Sequence, residues 1–431
     1  MYGMTDGNGA NNYGSLFSIN KDGSNYKTLW SFDDTGLIAL NSNGSSPFGN
    51  VILIHNKLYG MTLDGGSNHY GEIFCINTDG TGYRDLWDFN DTGSLGNQNA
   101  VFPFGSLTLV GDKLIGVSNE SHQGYGIAFS IDTMGHHFKD MHDFNGGVTG
   151  KYTYLGALAV SLSGTQLYGV TYDGGLYNDG MVYAIDTDGT HFKDLHDFDS
   201  TNGKDPYSSV ILSGSKLFGM TYDGGRFNVG VMFTVDTAGH NFKKMVDFND
   251  TNGSNPTGDL IYAGNKLYGM VNRGGAFMDG LIFSTDSTGN NFKDLADFNG
   301  INGEYPFGSL TLTGGDTLYG MTENGGANTN GNIFRFVNDT NINTGYSKLN
   351  STGNIEVYPN PSNGNITVKT ILDKSTIEIY NMLGEEVYSR FFVHRSSHIV
   401  DINNQPNGVY LLRVISDSGK PTSQTKLIIQ K

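Results

Sequence analysis

The sequence contains one cysteine in 431 residues, Cys75, so no intrachain disulfide can form. No run of 18 apolar residues is present, which argues against a membrane-spanning helix. The 26 Lys and Arg residues are outnumbered by 43 Asp and Glu residues. The resulting net charge of −17 would repel phosphate backbones, so we expect no nucleic-acid partner. Alanine and glutamate are sparse and no apolar stripe has helical spacing, which leaves little room for helix.

Glycine and aromatic residues are abundant instead, with 62 Gly, 26 Phe and 24 Tyr, as expected of short strands joined by tight turns. The stretch LFGMTYDGG at 217–225 is one copy of a unit that recurs throughout the first 336 residues. Its first glycine recurs at intervals of about fifty residues, at Gly3, Gly60, Gly116, Gly169, Gly219, Gly269 and Gly320. Seven copies at this period indicate a repeat architecture.

Each full repeat has four short apolar segments, here named a to d. In the fifth repeat a lies at 209–212, b at 216–221, c at 231–235 and d at 242–248. Runs rich in Val, Ile, Phe and Tyr between Gly, Asn, Asp and Ser turns predict antiparallel hairpins. A four-stranded unit repeated in this way is typical of a β-propeller blade. We therefore predict an all-β fold in which 1–349 form a seven-bladed β-propeller.

The two ends of the array are expected to be irregular. The first blade has no segment a and is incomplete, and the last segment d is expected at 344–349, where the sequence resembles 81–86. Because the chain opens inside a repeat, without a signal peptide, its start is expected to be truncated, leaving a strand edge exposed and the fold less stable. The glycine of segment b is expected to allow close approach of the adjacent blade.

The repeat pattern stops near residue 351, and strand-like runs of different spacing follow. We place a linker at 350–354 and a compact all-β domain at 355–431. The motif residues of this domain are Tyr358, Pro359, Asn360, Pro361, Gly364, Gly384, Gly408 and Tyr410. In order, spacing and terminal position they resemble the type A C-terminal sorting domain of the type IX secretion system. The resemblance implies a small immunoglobulin-like β-sandwich, a Bacteroidetes source, and the type IX secretion machinery and its sortase as partners.

The repeats resemble GloVer-type tandem repeats in their LYGMT, GG and GxIF elements, which stand for example at 58–62, 65–66 and 71–74. This resemblance covers residues 1–336 and implies no established activity and no catalytic residues. The resemblance of the C-terminal domain implies export across the outer membrane, to the cell surface or the extracellular space.

No group of residues predicts catalysis, a bound metal or a cofactor. The Asp-Gly turns at 77–80 and 186–189 lack the first ligand and the closing glutamate of a calcium loop, so they are interpreted as hairpin turns. Cys75 is interpreted as a small buried strand residue. An aspartate that recurs before the last Phe of segment d is predicted to hydrogen-bond the backbone. It stands at Asp88, Asp143, Asp197, Asp247 and Asp297.

Aromatic residues in the b-to-c loops are the predicted binding residues: Tyr70, Tyr125, Tyr177, Phe227 and Phe277. On a shared propeller face they could stack on sugar rings or pack between the blades, and the sequence leaves both open. We predict an exported, monomeric, non-enzymatic surface or secreted protein whose propeller face binds a glycan or another macromolecule. The alternative is a polysaccharide-active propeller enzyme, a hydrolase or a lyase.

Overall fold

The computed structural model describes residues 1–431 except 8, 34–42, 91–99, 122–123, 155, 315–316, 338–355, 370–373, 382–385, 394–396 and 417–420. Every regular element in this described part is a β-strand. It contains no helix long and apolar enough to cross a membrane. The chain divides into two compact units, Met1–Thr340 and Asn341–Lys431. The predicted linker at 350–354 lies outside the described residues and stays a prediction.

The strands of the first unit follow the repeats. They are β1 (Tyr2–Thr5), β2 (Ser15–Ser18), β3 (Lys27–Ser31), β4 (Ile52–Ile54), β5 (Lys57–Thr62), β6 (Glu72–Asn77), β7 (Arg84–Asp88), β8 (Ala100–Val101), β9 (Thr108–Val110), β10 (Lys113–Val117), β11 (Glu120–Ser121), β12 (Ile127–Asp132), β13 (Lys139–Asp143), β14 (Ala159–Val160), β15 (Gln166–Thr171), β16 (Met181–Asp186), β17 (Lys193–Asp197), β18 (Ile211–Ser213), β19 (Lys216–Thr221), β20 (Val231–Asp236), β21 (Lys243–Asp247), β22 (Ile261–Ala263), β23 (Lys266–Val271), β24 (Leu281–Asp286), β25 (Lys293–Asp297), β26 (Glu304–Pro306), β27 (Thr311–Thr313), β28 (Thr317–Asn324) and β29 (Asn332–Val337).

The second to sixth repeats each form a four-stranded antiparallel sheet in which the segments lie in the order a, b, c, d. In the fifth repeat this order is β18-β19-β20-β21. The first repeat has three strands, β1-β2-β3, and lacks segment a as predicted. In the seventh repeat β28 pairs with β26, β27 and β29, while the predicted segment d at 344–349 lies outside the described residues. The prediction of an all-β chain of antiparallel sheets is confirmed.

The sheets converge at segment a. The a strands β14, β18 and β22 of three consecutive repeats contact one another. The turns before them approach so closely that a Cβ on Gly258 would lie 2.0 Å from the backbone oxygen of Gly308 in the next repeat. Tyr319 in the seventh repeat donates a hydrogen bond from Oη to the backbone oxygen of Lys21 in the first repeat, at 2.9 Å.

Segment b lies inside each sheet, and in the fifth repeat all its residues after the first are buried. Its glycine makes room for an aromatic ring from the neighbouring strand. A Cβ on Gly219 would lie 2.6 Å from Cζ of Phe233 and 3.1 Å from Cγ1 of Val210. Both neighbours belong to the same repeat. The expectation that this glycine admits the adjacent blade is therefore wrong, because the ring that covers it comes from strand c of its own sheet.

Consecutive repeats are joined by a recurring pair of aromatic rings. The last Phe of segment d packs edge-on against the aromatic residue of strand c in the next repeat, with ring centroids 5.0–5.7 Å apart. The six pairs are Phe32–Phe74, Phe89–Phe129, Phe144–Tyr183, Phe198–Phe233, Phe248–Phe283 and Phe298–Phe334. Because edge-to-face packing adds to the burial of two large apolar side chains, these pairs are a recurring apolar link between consecutive sheets.

The aspartate before this Phe holds the b-to-c loop of its own repeat. Its Oδ1 accepts a hydrogen bond of 2.7–2.8 Å from a backbone N–H of that loop. The pairs are Asp88 with Ser67, Asp197 with Leu176, Asp247 with Arg226 and Asp297 with Ala276. The predicted backbone hydrogen bond is confirmed in these repeats. Cys75, which is 1% exposed, is also the small buried strand residue that the sequence predicts.

A second carboxylate stands three residues before this aspartate in several repeats. In the fourth repeat, partial burial and the neighbouring Asp197 raise the pKa of Asp194 to about 6. The fifth repeat has Lys244 at the equivalent position, and its Nζ lies 2.9 Å from Oδ1 of Asp247. A carboxyl whose pKa is higher in the folded than in the unfolded state lowers stability above that pKa, and this loss disappears as the pH falls toward 4.

We therefore expect Asp194→Lys, which copies the fifth repeat, to stabilise the protein. The gain in unfolding free energy at pH 8 should be up to about 1 kcal/mol, as for exposed ion pairs, and should shrink between pH 6 and pH 4.5. Urea unfolding at several pH values measures it. Asp112→Lys, at an exposed turn, makes the same change of charge without a neighbouring carboxylate and serves as the control. Equal gains in both variants would contradict the prediction.

The second unit contains two antiparallel sheets around one core. Its strands are β30 (Glu356–Tyr358), β31 (Asn365–Lys369), β32 (Lys374–Tyr380), β33 (Glu386–Val393), β34 (Ser397–Asp401), β35 (Gly408–Ser416) and β36 (Pro421–Ile429). They form the sheets β30-β31-β34 and β33-β32-β35-β36. Buried residues of both sheets, such as Ile366, Ile379 and Leu412, share one hydrophobic core. The all-β prediction is confirmed here, and the immunoglobulin-like topology stays a prediction.

Candidate binding site

A short segment before strand a has the same backbone shape in six repeats. One residue has a left-handed conformation with φ between 53° and 56°, and in five of the repeats a buried proline follows it. The left-handed residues are Ser46, Phe102, Tyr152, Asp205, Asn255 and Tyr305. Because proline fixes its own φ, the segment holds the next side chain in a defined position.

That next side chain is aromatic in five repeats, and the rings pack against one another. Phe48 stacks on Phe104 with ring centroids 4.5 Å apart, and Phe104 lies edge-on to Tyr154 at 5.4 Å. Tyr154 in turn stacks on Tyr207 at 4.9 Å. All four side chains are half-buried, so each keeps part of its surface in contact with solvent. Side chains from four successive repeats thus form one continuous aromatic surface.

Three further rings join this surface. Tyr172 and Tyr222, which directly follow strand b, lie 4.7 Å from Tyr154 and 5.7 Å from Tyr207. Phe307 of the seventh repeat lies 6.5 Å from Tyr207 of the fifth. We name these seven side chains the aromatic cluster: Phe48, Phe104, Tyr154, Tyr172, Tyr207, Tyr222 and Phe307.

Charged side chains lie beside the tyrosines of the aromatic cluster. Nζ of Lys151 is 3.4 Å from Oδ2 of Asp173. Nζ of Lys204 is 3.7 Å from Oδ2 of Asp205 and 3.9 Å from Oδ1 of Asp179. Burial raises the pKa of Asp205 to about 7, although Lys204 lowers it and Asp173 raises it further. Asp205 is therefore partly protonated at neutral pH.

The phenol groups of Tyr154, Tyr172 and Tyr207 are neutral at physiological pH. Burial raises the pKa of Tyr207 to about 12 and also raises the pKa of Tyr154 and of Tyr172. Each neutral hydroxyl can donate and accept hydrogen bonds. Aromatic faces beside hydroxyl and carboxylate groups suit a ligand that has both apolar C–H surface and many hydroxyls.

The structure places the five predicted binding residues at two different positions. Tyr70 and Tyr125 directly precede the glycine of strand c and are half-buried. Tyr70 lies edge-on to Phe102 at 5.6 Å, and Tyr125 lies 6.4 Å from Tyr152. Their partners belong to the segment before strand a of the next repeat, so these two residues pack between repeats.

The other three predicted residues stand three positions before that glycine and face solvent. Tyr177 is 57% exposed, Phe227 48% and Phe277 57%. Leu176 and Met278 beside them are also exposed. The b-to-c loops of the fourth, fifth and sixth repeats thus each carry exposed apolar side chains, here named the exposed rim, whose part in binding stays a prediction.

The prolines are the signal that would have revealed four members of the aromatic cluster, Phe48, Phe104, Tyr207 and Phe307. Five of the nine prolines of the chain directly follow the residue that has the left-handed conformation. They are Pro47, Pro103, Pro206, Pro256 and Pro306. The repeats align on the glycine of segment b, whereas this motif lies in the d-to-a connections, whose lengths vary.

In the second unit the motif near its start contacts the C-terminal strand. Oδ1 of Asn360 accepts a hydrogen bond of 2.8 Å from the backbone N–H of Ile428. The backbone N–H of Gln430 donates to the oxygen of Ser362 at 2.7 Å. The predicted motif residue Asn360 therefore joins the first and last strands of this domain.

The remaining motif residues have distinct places. Gly364 has a φ of 112°, and a Cβ there would lie 2.4 Å from Cα of Asn403. Tyr410 is buried and donates from Oη to the backbone oxygen of Pro406 at 2.8 Å. Tyr358 is 44% exposed, Gly408 begins β35, and both Tyr358–Pro359 and Asn360–Pro361 are cis. Gly384 lies outside the described residues.

Two family models match the chain. One, described as the Gloeobacter/Verrucomicrobia repeat, matches residues 1–165 and 117–334. The other, described as a secretion system C-terminal sorting domain, matches residues 356–430. No curated protein matches the chain.

Among solved structures, the chain is similar to PorZ, a surface component of the type-IX secretion system of Porphyromonas gingivalis. The identity is 12% and the TM-score 0.39, over 97% of this chain and 63% of that one. The extracellular domain of a B. thetaiotaomicron hybrid two component system gives 12% and 0.49, over 98% and 55%. A puromycin-hydrolyzing peptidase of Mycobacterium tuberculosis gives 10% and 0.49, over 83% and 55%. The chain thus spans 55–63% of the length of these three proteins.

Proposed function

Since the chain belongs to the Gloeobacter/Verrucomicrobia repeat family and ends in a type IX sorting domain, which directs it to the cell surface or the extracellular space, we propose that its repeats bind a glycan. The aromatic cluster is the binding surface in this proposal. The protein acts as a monomer without enzymatic activity. The sorting domain interacts with the type IX secretion machinery, and in this proposal it has an immunoglobulin-like topology and is a substrate of the sortase.

The observation that carries the proposal is the composition of the aromatic cluster. Five of its rings are held by equivalent backbone segments before strand a, and all seven remain partly exposed. The charges of Asp173 and Asp205 act on the hydroxyls of Tyr154 and Tyr172. The rings would cover the apolar faces of sugar residues while the polar groups hydrogen-bond their hydroxyls. A largely preformed surface of this kind binds without a large ordering cost.

For the fold of the repeats, we propose a closed ring of seven blades. Its support is the hydrogen bond of Tyr319 in the seventh repeat to Lys21 in the c-to-d turn of the first. Tyr168 in the fourth repeat, at the equivalent place, donates a hydrogen bond to Oε1 of Gln166 in its own repeat at 2.8 Å, and its hydroxyl is also influenced by Thr237 in the equivalent turn of the fifth repeat. The equivalent tyrosines of the fourth and seventh repeats thus both reach toward the c-to-d turn of another repeat.

One observation favours the enzymatic alternative. Asp205 is 6% exposed, lies beside the aromatic cluster, and has a pKa of about 7. A carboxyl that is protonated near neutral pH can act as a general acid in glycoside cleavage. A polysaccharide-active hydrolase or lyase would place its substrate at the same surface.

Affinity electrophoresis of the full chain against a set of polysaccharides tests both functions. We expect at least one polysaccharide to retard the protein, and Tyr207→Ala to weaken that binding at least about tenfold, since central aromatic contacts dominate such surfaces. Phe227→Ala, on the exposed rim, is the matched control: because this proposal assigns binding to the aromatic cluster and not to the rim, this variant should bind as the wild type does.

Two results would contradict the proposal. If no polysaccharide retards the protein, or if Phe227→Ala loses as much affinity as Tyr207→Ala, the aromatic cluster is not the binding site. Reducing ends that accumulate with the wild type, but not with Asp205→Asn, would establish the enzymatic alternative.

A further inference from the structure

The second repeat contains a buried glutamate where the other repeats have uncharged residues. Glu72, at the start of strand c, is 0% exposed. The residues at the equivalent position are Ser15, Ile127, Met181, Val231, Leu281 and Asn332. Burial of a carboxylate is costly unless its charge is compensated. Glu72 must therefore be neutralised, by a proton or by a cation.

Two aspartates of strand d lie next to this glutamate. Glu72 stands directly opposite Asp88 in the register of β6 and β7. One carboxylate oxygen each of Glu72, Asp85 and Asp88 lie within 4.8 Å of one another. Like charges placed opposite one another destabilise a sheet. Asp85 is exposed and Asp88 partly buried, so the group opens to solvent on one side.

Hydrogen bonds reach only some of the carboxylate oxygens of Glu72, Asp85 and Asp88. Tyr83 donates from Oη to Oε1 of Glu72, and the backbone N–H of Ser67 donates to Oδ1 of Asp88 at 2.7 Å. The backbone N–H of Gly44 also acts on the Glu72 carboxylate, but Oε2 is buried and has no partner within hydrogen-bond distance among the residues that the structure describes. A buried acceptor oxygen without such a donor, on a carboxylate within 4.8 Å of two others, marks a place for a positively charged ligand.

Within the described ranges, no Lys, Arg or His forms an ion pair with Glu72, Asp85 or Asp88. The fifth repeat shows the contrast, because Lys244 there neutralises Asp247 at 2.9 Å.

We propose that Glu72, Asp85 and Asp88 bind a calcium ion at the edge of the second repeat. The donor set is entirely oxygen, which suits hard divalent cations. Calcium accepts six to eight oxygen ligands in flexible geometry, and water can complete the shell on the side of Asp85. Magnesium demands near-ideal octahedral geometry and gives up water reluctantly, so it fits a cluster of adjacent carboxylates less well. The export of the protein places this site outside the cell, where sites with dissociation constants of about 10⁻⁴–10⁻³ M are typical.

The test uses the full chain, stripped of metal with EDTA and dialysed at pH 7.5. We expect CaCl₂ to raise the melting temperature and to saturate at about 10⁻⁴–10⁻³ M, at constant ionic strength. Terbium luminescence gives a direct second readout. Trp30 stacks on Tyr83 with centroids 4.3 Å apart, so excitation of these rings should sensitise a terbium ion held by Glu72. Calcium should displace the terbium and remove the signal.

Two variants of the glutamate and one control separate metal binding from folding. Glu72→Ile introduces the residue of the third repeat, so it should fold, melt in EDTA no lower than the wild type, and lose both the calcium shift and the terbium signal. Glu72→Gln keeps the size and should weaken calcium binding at least about tenfold, since even residues outside the ligand shell have such effects. Asp194→Asn alters the aspartate pair of the fourth repeat, where Met181 replaces the glutamate, and should keep the full response.

The proposal is overturned if calcium leaves the melting temperature of the wild type unchanged. It is equally overturned if Glu72→Ile retains the calcium shift, or if MgCl₂ produces the same shift as CaCl₂ at matched ionic strength. The last result would mean that divalent ions act by screening the acidic surface.

Discussion

Deletion of residues 355–431 is expected to leave the repeats inside the cell. The deleted part includes the domain that directs type IX export, and this domain has a hydrophobic core of its own. The repeats have separate cores, so they should fold without it. Full-length and shortened proteins would be produced behind the same signal peptide in a bacterium with a type IX system. Immunoblots of medium, surface and periplasmic fractions then measure export, and we expect the shortened protein only in the periplasm.

A single substitution within the domain gives a finer form of this test. Asn360→Ala removes the hydrogen bond to Ile428, which joins the first and last strands, so export should fall. Asn404→Ala, at an exposed turn position, is the matched control and should leave export unchanged. Circular dichroism of the purified shortened protein checks that its repeats are folded. Surface exposure of a correctly folded shortened protein would contradict the assignment of residues 355–431 to export.

The repeats and their strand order could be predicted because their signal is local. Segment b is nearly free of charge and contains a glycine that the Phe ring of strand c covers, so the same short pattern appears in every copy. The C-terminal domain could be predicted from motif residues such as Asn360 and Tyr410, which hold its backbone together. In both cases the residue type is restricted by a contact with a particular part of the backbone or a neighbouring ring, so the same residue stands at a recognisable position.

The aromatic cluster could not be predicted from the glycine repeat, because its members come from connections of different length. Phe48 and Tyr207 become neighbours of the other rings only after the sheets converge at segment a. The loop residues Tyr70 and Tyr177 look alike in the sequence but stand two positions apart relative to strand c. This difference determines whether the side chain is buried: Tyr70 packs against the next repeat, whereas Tyr177 is 57% exposed.

The proximity of Glu72, Asp85 and Asp88 in the second repeat depends on a β-bulge that could not be predicted from the sequence. In a regular strand Asp85 and Asp88 would point to opposite faces, because they are three residues apart. A register shift between Ile73 and Phe74 places Asp88 opposite Glu72 and Asp85 opposite Phe74. Because the bulge adds one residue to strand d, the side chains of Asp85 and Asp88 lie on the same face of the sheet.

Phe198→Ala is expected to destabilise the repeats by about 3–5 kcal/mol, as large-to-small changes of buried aromatic residues do. The ring is 0% exposed and lies edge-on to Phe233 of the next repeat at 5.0 Å. In a repeat protein much of the stability resides in the interfaces between neighbours. Phe227→Ala removes the same atoms from a side chain that is 48% exposed, and it should change stability by no more than about 0.5 kcal/mol. Urea unfolding measures both; similar losses would contradict the prediction.

The same variant tests the closed ring. If the seventh repeat contacts the first through Tyr319 and Lys21, weakening the interface between the fourth and fifth repeats leaves the array continuous, so unfolding stays a single transition. In an open array the two halves would unfold separately. Trp30 and Trp87 both lie in the first two repeats, so their fluorescence follows that half, whereas circular dichroism follows all strands. In the protein without residues 355–431 we expect the two curves to coincide for Phe198→Ala. Curves with separate midpoints would show that the repeats form an open array.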